Sequence, residues 1–316
     1  MNYETFKSST VASIQKHFGD DATVSLHPIM KNNNIRLDGL TIQDASVNIT
    51  PTIYLNRYYD DYLAGKALSS ICEEIIASYR EHLPKQNIDL SFFTDYQKVK
   101  YQIIFKLIHF EHNQALLREI PHFRFLDLAV VFCCYLPDMP DGTATILIHN
   151  RHLDIWDITA DTLYDLAIKN TPILLPYEIT SMEDALNALC RDMTTPCDGS
   201  GKFSYDEHPG RSSECSRTDS GKFFEMYVLS NTERFYGASA ILYPKILLQF
   251  ARSIGQDFYI LPSSVHEVLL LSKESGARRS DLNRMIQDIN ASQVAEEEIL
   301  SDHVYILDRD LGFITQ

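Results

Sequence analysis

Acid–base and metal chemistry need histidines and carboxylates brought to one point, and the sequence groups them in two places. The first is His266-Glu267 in "ILPSSVHEVLLLS" (260–272), with Asp302-His303 near the C-terminus. A histidine beside acidic groups is an ordinary metal or proton-transfer constellation. The zinc-protease pattern His-Glu-x-x-His puts two histidines on one helical face. Here Leu270 stands where the second histidine is required. The surroundings read as a strand, on which His266 and Glu267 would point to opposite faces. What survives is a looser cluster of His266, Glu267, Asp302 and His303, with a hydrogen-bonded surface histidine as the commoner alternative.

The second place is "HNRHLDIWD" (149–157), where His149, His152, Asp154 and Asp157 surround the sole tryptophan, Trp156. A divalent ion could bind such a loop. A polar connector that prepares the next helix explains the same residues more simply. A third stretch, "YLNRYYDDYLAGK" (54–66), could bind a cation or other ligand. A short amphipathic helix with Tyr54, Tyr58 and Tyr62 on one side is the simpler reading. "DGSGKF" (198–203) fails as a phosphate loop: no strand precedes it, the spaced first glycine is missing, and Phe203 replaces the metal-binding hydroxyl. No Gly-x-Ser-x-Gly elbow accompanies Ser263-Ser264. No cofactor is predicted.

The elements that must position these groups follow from periodicity. Phe6, Val11, Ile14 and Phe18 mark a first helix ending at Gly19. Three strands are expected next: "ATVSLHPI", "NIRLDGLTI" and "SVNITPTIYL", the last carrying Val47 and Ile49. Leu68, Ile71, Cys72, Ile75, Ile76 and Tyr79 form a covering helix stopped by Pro84. "YQKVKYQIIFKLIHF" reads as a helical start passing into a strand. A short helix over 113–120, one buried strand over 125–136 and a turn at Asp141-Gly142 follow. Thr159 caps a helix over 160–170 with Pro172 beyond it.

Residues 192–222 are rich in Gly, Ser, Thr, Asp and Pro and read as a long loop or linker, in which "SGKF" occurs twice. Beyond it, "EMYVLSN", "DFYILP" and "VHEVLLLS" read as strands. A helix runs over "YPKILLQFARSIG" with Pro244 in its first turn. Another has Leu282, Met285, Ile286 and Ile289 inward, and "HVYILDRDLGFI" closes as a strand or hairpin. Regular βαβ units are missing, so the expected class is α+β: mixed or antiparallel sheets under amphipathic helices. The expected subdomains are 1–190 and 224–316, joined by the 191–223 linker.

Composition limits the partners. The 316 residues carry 28 Lys and Arg against 43 Asp and Glu, a net charge of −15. That charge repels nucleic-acid phosphate and anionic lipid, and no basic patch offsets it. "FLDLAVVFCCYL" (125–136) is the most apolar run and is too short to span a bilayer. The opening residues lack a secretory pattern. The six cysteines form no Cys-x-x-Cys pair, which fits a reducing cytoplasm.

Four segments together carry a resemblance: "FLDLAVVFCCYL", "TATILIHNRHLDIWDITADTLYDLAIKNTPILLP", "YGASAILYPKILLQFARSIGQDFYILPSSVHEVLLL" and "SDHVYILDRDLGFI". They resemble domain-of-unknown-function family 5688, common in gut clostridia. "GASAIL" and the "EVLLL" strand are distantly similar to the YtpQ-like family of unknown function. The resemblance implies a bacterial cytoplasmic protein and transfers no activity or site residue. The expected function is a non-catalytic binding or regulatory module with a possible protein partner. A metal-dependent hydrolase using the His/Glu/Asp cluster and an acidic nucleic-acid mimic are the alternatives.

Overall fold

The computed structural model describes residues 1–44, 48–84, 91–139, 142–185, 226–262 and 264–316. The expected 191–223 linker, Val47, Asp141 and Ser263 lie outside the described residues. The class is α+β, with every strand pairing among the described residues antiparallel. The chain divides into two compact units. The first holds Met1–Leu174 and Ala295–Ile299, the second Leu175–Val294 and Leu300–Gln316.

The first unit opens with α1 (Tyr3–Phe18), whose N-cap Asn2 accepts the Thr5 N–H and whose C-cap Gly19 has φ 60. Phe6, Thr10 and Ile14, spaced by four, form its buried stripe. Strands β1 (Ala22–Met30), β2 (Arg36–Asp44) and β3 (Thr52–Tyr54) make a three-stranded sheet in that order. Alternation along β2 buries Leu40 and Ile42 against Phe6 and Ile14. Helix α2 (Leu55–Leu63) follows β3 without a loop, and α3 (Leu68–His82) adds Ile71, Ile75 and Tyr79 to the same core. The third strand is shorter than its alternation suggests: Ile49 precedes it, and Tyr54 ends it.

Short helices α4 (Tyr96–Val99) and α5 (Gln114–Leu117) flank β4 (Ile103–His109). The single buried strand expected over 125–136 is instead a hairpin of β5 (His122–Phe125) and β6 (Leu128–Met139). It turns on Leu126-Asp127, with Leu126 at φ 54. That turn lacks the glycine or asparagine that signals a hairpin. β6 pairs with β4 along one edge and with β5 and then β7 (Gly142–Leu147) along the other. Helix α6 (Asn150–Trp156) leads to α7 (Ala160–Leu174), which contains Pro172 instead of ending before it. Pro172 falls in the last turn, so only two helical residues follow the bond it removes, and the Thr171 hydroxyl donates to the Ala167 carbonyl at 2.6 Å. The same hydroxyl oxygen accepts the Phe105 N–H, tying α7 to β4.

The second unit is a six-stranded sheet of β8 (Tyr177–Ser181), β9 (Met226–Asn231), β10 (Phe258–Leu261), β11 (Val268–Ser272), β12 (Tyr305–Leu307) and β13 (Ile314–Thr315). Its order is β13-β12-β10-β11-β9-β8. Helix α8 (Ile246–Ile254) starts after Lys245 and ends at left-handed Gly255. Pro244 therefore lies outside it, and a 3₁₀ turn at Gly237–Leu242 precedes it. Helix α9 (Arg279–Ser292) buries Leu282, Ile286 and Asn290, each four residues apart. Met285, expected inward, falls beside that stripe and is 36% exposed. Leu282 and Ile286 pack with Leu261, Leu271 and Val304.

Candidate functional site

His266 and Glu267 are not on a strand; β11 begins at Val268. The Ser264 hydroxyl accepts the His266 N–H at 3.0 Å and closes a turn, so neither side chain follows strand alternation. The Ser230 hydroxyl donates to the His266 carbonyl at 2.8 Å. The imidazole lies parallel to Tyr236, 6.0 Å between centroids and 7° between planes. A Cβ on Gly237 would collide with Ser230 Oγ and the His266 carbonyl and sit 2.8 Å from the Asn231 nitrogen. "YGASAIL" is therefore a packing motif that holds the His266 turn. Buried Asn231 reinforces it, donating from Nδ2 to the Phe235 carbonyl and accepting the Phe235 N–H.

Asp302 and His303 form a second turn of the same design. The Ser301 hydroxyl accepts the His303 N–H at 3.0 Å, and the Ser301 N–H donates to the Pro262 carbonyl at 2.9 Å. The two serine turns are thus neighbours, because β12 pairs with β10 and not with β11. Asn290 Nδ2 donates to Asp302 Oδ1 at 2.7 Å and to the Ser301 carbonyl at 3.1 Å, while the His303 side chain faces solvent.

The 149–157 cluster is the short helix α6 with its two caps, His149 and Asp157, and not a loop. His152 Nδ1 accepts the His149 N–H at 3.0 Å, and the His152 N–H donates to the His149 carbonyl. The His152 ring is buried edge-on to Phe93, 5.0 Å between centroids, and Trp156 Nε1 donates to the Phe93 carbonyl. Burial, then the charges of Arg151 and His149, pushes the His152 pKa below the usual histidine value. Asp154 is exposed, and Asp157 closes the helix in the left-handed region. Among the described residues no three His, Cys, Asp or Glu side chains converge at metal-ligand spacing. The free thiols of Cys72, Cys133 and Cys134 are buried, and burial pushes that of Cys134 up to about 12.

Among the described residues a concavity lies in the first unit, at the tyrosine-rich stretch. A cleft of about 570 Å³ is bounded by Leu37 of β2, residues 51–54, Asn56, Arg57, Tyr58 and Asp60 of α2, Ser78 and His82 of α3, and Glu297. α2 divides its tyrosines. Tyr59 and Tyr62 pack on Phe6, at 5.2 and 5.5 Å between centroids, while Tyr58 lines the cleft. The Lys31 ammonium stands 4.4 Å over the Tyr54 ring, a cation–π contact. His82 Nδ1 donates to the Ser78 carbonyl at 2.8 Å, which leaves Nε2 as the ring's acceptor.

Glu297 reaches the cleft through an asparagine clasp. Asn32 Nδ2 donates to the Glu297 carbonyl, and Asn33 Nδ2 donates to the carbonyls of Glu296 and Ile299. Asn33 and Asn34 adopt φ 59 and 61, values asparagine tolerates better than most residues. Asn113 Oδ1 accepts the Asn33 N–H and fixes the clasp from below.

A family model matches residues 3–309. The chain belongs to a family of unknown function, DUF5688. No curated protein and no solved structure matches it. The match spans both units, so the cleft and the paired serine turns are both parts of the family's domain. No helix among the described residues is long and apolar enough to cross a membrane.

Proposed function

We propose that this member of the family is a non-catalytic binding or regulatory module, bacterial and cytoplasmic, and that the cleft beside β3 and α2 is its binding site. One observation carries the reading. The cleft combines a volume of about 570 Å³ with a lining that includes Tyr54, Tyr58, Arg57, His82, Asp60 and Glu297. Binding sites of this size are concave surfaces with a few placed polar groups. At the histidine turns, by contrast, the side chains of Ser264, Ser301, Asn231 and Asn290 are bonded to main-chain groups. The bacterial and cytoplasmic assignment rests on the sequence resemblance and on the buried free thiols, which suit a reducing compartment.

Methyl-detected NMR with a small-molecule fragment library tests the site. Binders are expected to shift the Leu37 and Ile53 methyl signals before those of Leu282 and Ile286. A library with no member that shifts the cleft methyls, or binders that shift only the second unit, would overturn the reading.

A further inference from the structure

The two edges of the first sheet are finished differently. Along β1, the Gln15 side chain acts as a substitute strand: Nε2 donates to the Ala22 carbonyl and Oε1 accepts the Val24 N–H, both at 2.9 Å. β3 is the opposite edge, hydrogen-bonded among the described residues to β2 alone. Pro51, Thr52, Ile53 and Tyr54 all border the cleft. Successive strand side chains point to opposite faces, so four consecutive lining residues mean that the cleft runs along the backbone edge. Ile53 makes this plain: its side chain is buried in the core, yet the residue borders the cleft.

We propose that the cleft takes an extended peptide as an added strand on β3, with an acidic side chain of the peptide meeting Arg57. This rests on the binding reading above and names its ligand class. Backbone pairing to an open edge supplies affinity, and the opposite wall supplies side-chain selection. Arg57 borders the cleft on α2, exposed, with no ion pair or hydrogen bond to any described residue. A guanidinium fork matches a carboxylate, which gives the cleft its preference for an acid. Tyr54, whose ring carries the Lys31 ammonium, and Tyr58 border the cleft beside it. Glu297 and Asp60 disfavour a second acid elsewhere along the strand.

The test pans a random linear 12-residue peptide library on the full chain, with the Arg57→Glu protein as the subtracting control. An enriched acidic consensus is expected, with affinity falling at least tenfold on Arg57→Glu and recovering when the peptide's acid is replaced by lysine. Amide N-methylation scanned along the selected peptide is then measured on the wild-type protein. Loss at every second position is the signature of one-edge strand pairing. No enrichment, a consensus without an acid, or N-methyl effects without period two overturns the proposal. So does sedimentation showing that a second copy of the chain occupies the edge. If fragments shift the cleft methyls while the peptide arm fails, the site stands and the strand mode falls. If both fail, the site falls too.

Discussion

The histidine turns of the second unit and the tyrosine cleft of the first use similar side-chain chemistry in opposite ways. At the turns, Ser264, Ser301, Asn231 and Asn290 direct their polar atoms at main-chain groups, and His266 is held by its own N–H and carbonyl. At the cleft, Arg57 is held by its helix, and its guanidinium is left to the solvent side. A group satisfied within the fold stabilises it and has little left to offer a ligand. A group positioned by its backbone but not consumed costs nothing to the fold and remains available. The comparison makes a graded claim: substitutions at the turns cost stability, and those at the cleft cost binding.

The largest cost is expected at Gly237. Gly237→Ala places a methyl against the His266 carbonyl, Ser230 Oγ and the Asn231 nitrogen, two of them backbone atoms that cannot swing aside. Overpacking of this kind costs about 2–3 kcal/mol, read as a lower urea midpoint. A loss under about 1 kcal/mol would mean the turn is soft and the contrast is overstated. Asn290→Ala comes next. It removes the donor from the buried Ser301 carbonyl and from Asp302, at about 1–3 kcal/mol for stranded buried partners. If Asp302 served a ligand instead, the variant would unfold normally and fail elsewhere.

His152 extends the same logic to pH. Its folded pKa is depressed by burial, so the native state holds it neutral. Above the ordinary histidine value of about 6.5 the group is neutral in both states and its contribution is fully present. As pH falls below that value the unfolded chain binds the proton first, and stability is lost until the folded pKa is passed. His152→Phe should flatten this part of the stability–pH curve without touching the region above it. An unchanged slope in equilibrium unfolding at stepped pH would remove His152 from the structural side of the comparison.

Much of this was readable from local signals. The stripes of α1 and α3, the Gly19 and Gly255 caps and the α+β class rest on periodicity and turn chemistry within a few residues. The hairpin at Leu126-Asp127 is not readable locally, because its positive-φ position is filled by Leu126, which carries no turn signal. The serine turns escape local patterns too: Ser-x-His beside an apolar run looks like one more strand position until the hydroxyl captures the N–H. The cleft was visible only as a tyrosine-rich stretch. One of its lining residues, Glu297, is held by Asn32 from 265 residues away, and no local pattern encodes that pairing.

The smallest stability effect, and the sharpest test of the contrast, belongs to Arg57. The side chain is exposed on α2, and no described residue leans on its charge. Arg57→Glu should therefore stay within about 0.5 kcal/mol of wild type in urea unfolding. The neighbouring Tyr59→Ala, which strips the ring packed on Tyr3 and Phe6, should cost about 2–4 kcal/mol. The two positions are one turn-fraction apart on the same helix, so helix propensity cannot account for the difference; only the direction of the side chain can. If Arg57→Glu destabilises as much as Tyr59→Ala, the guanidinium is part of the fold's own support, and the cleft has no unspent cation with which to receive an acid.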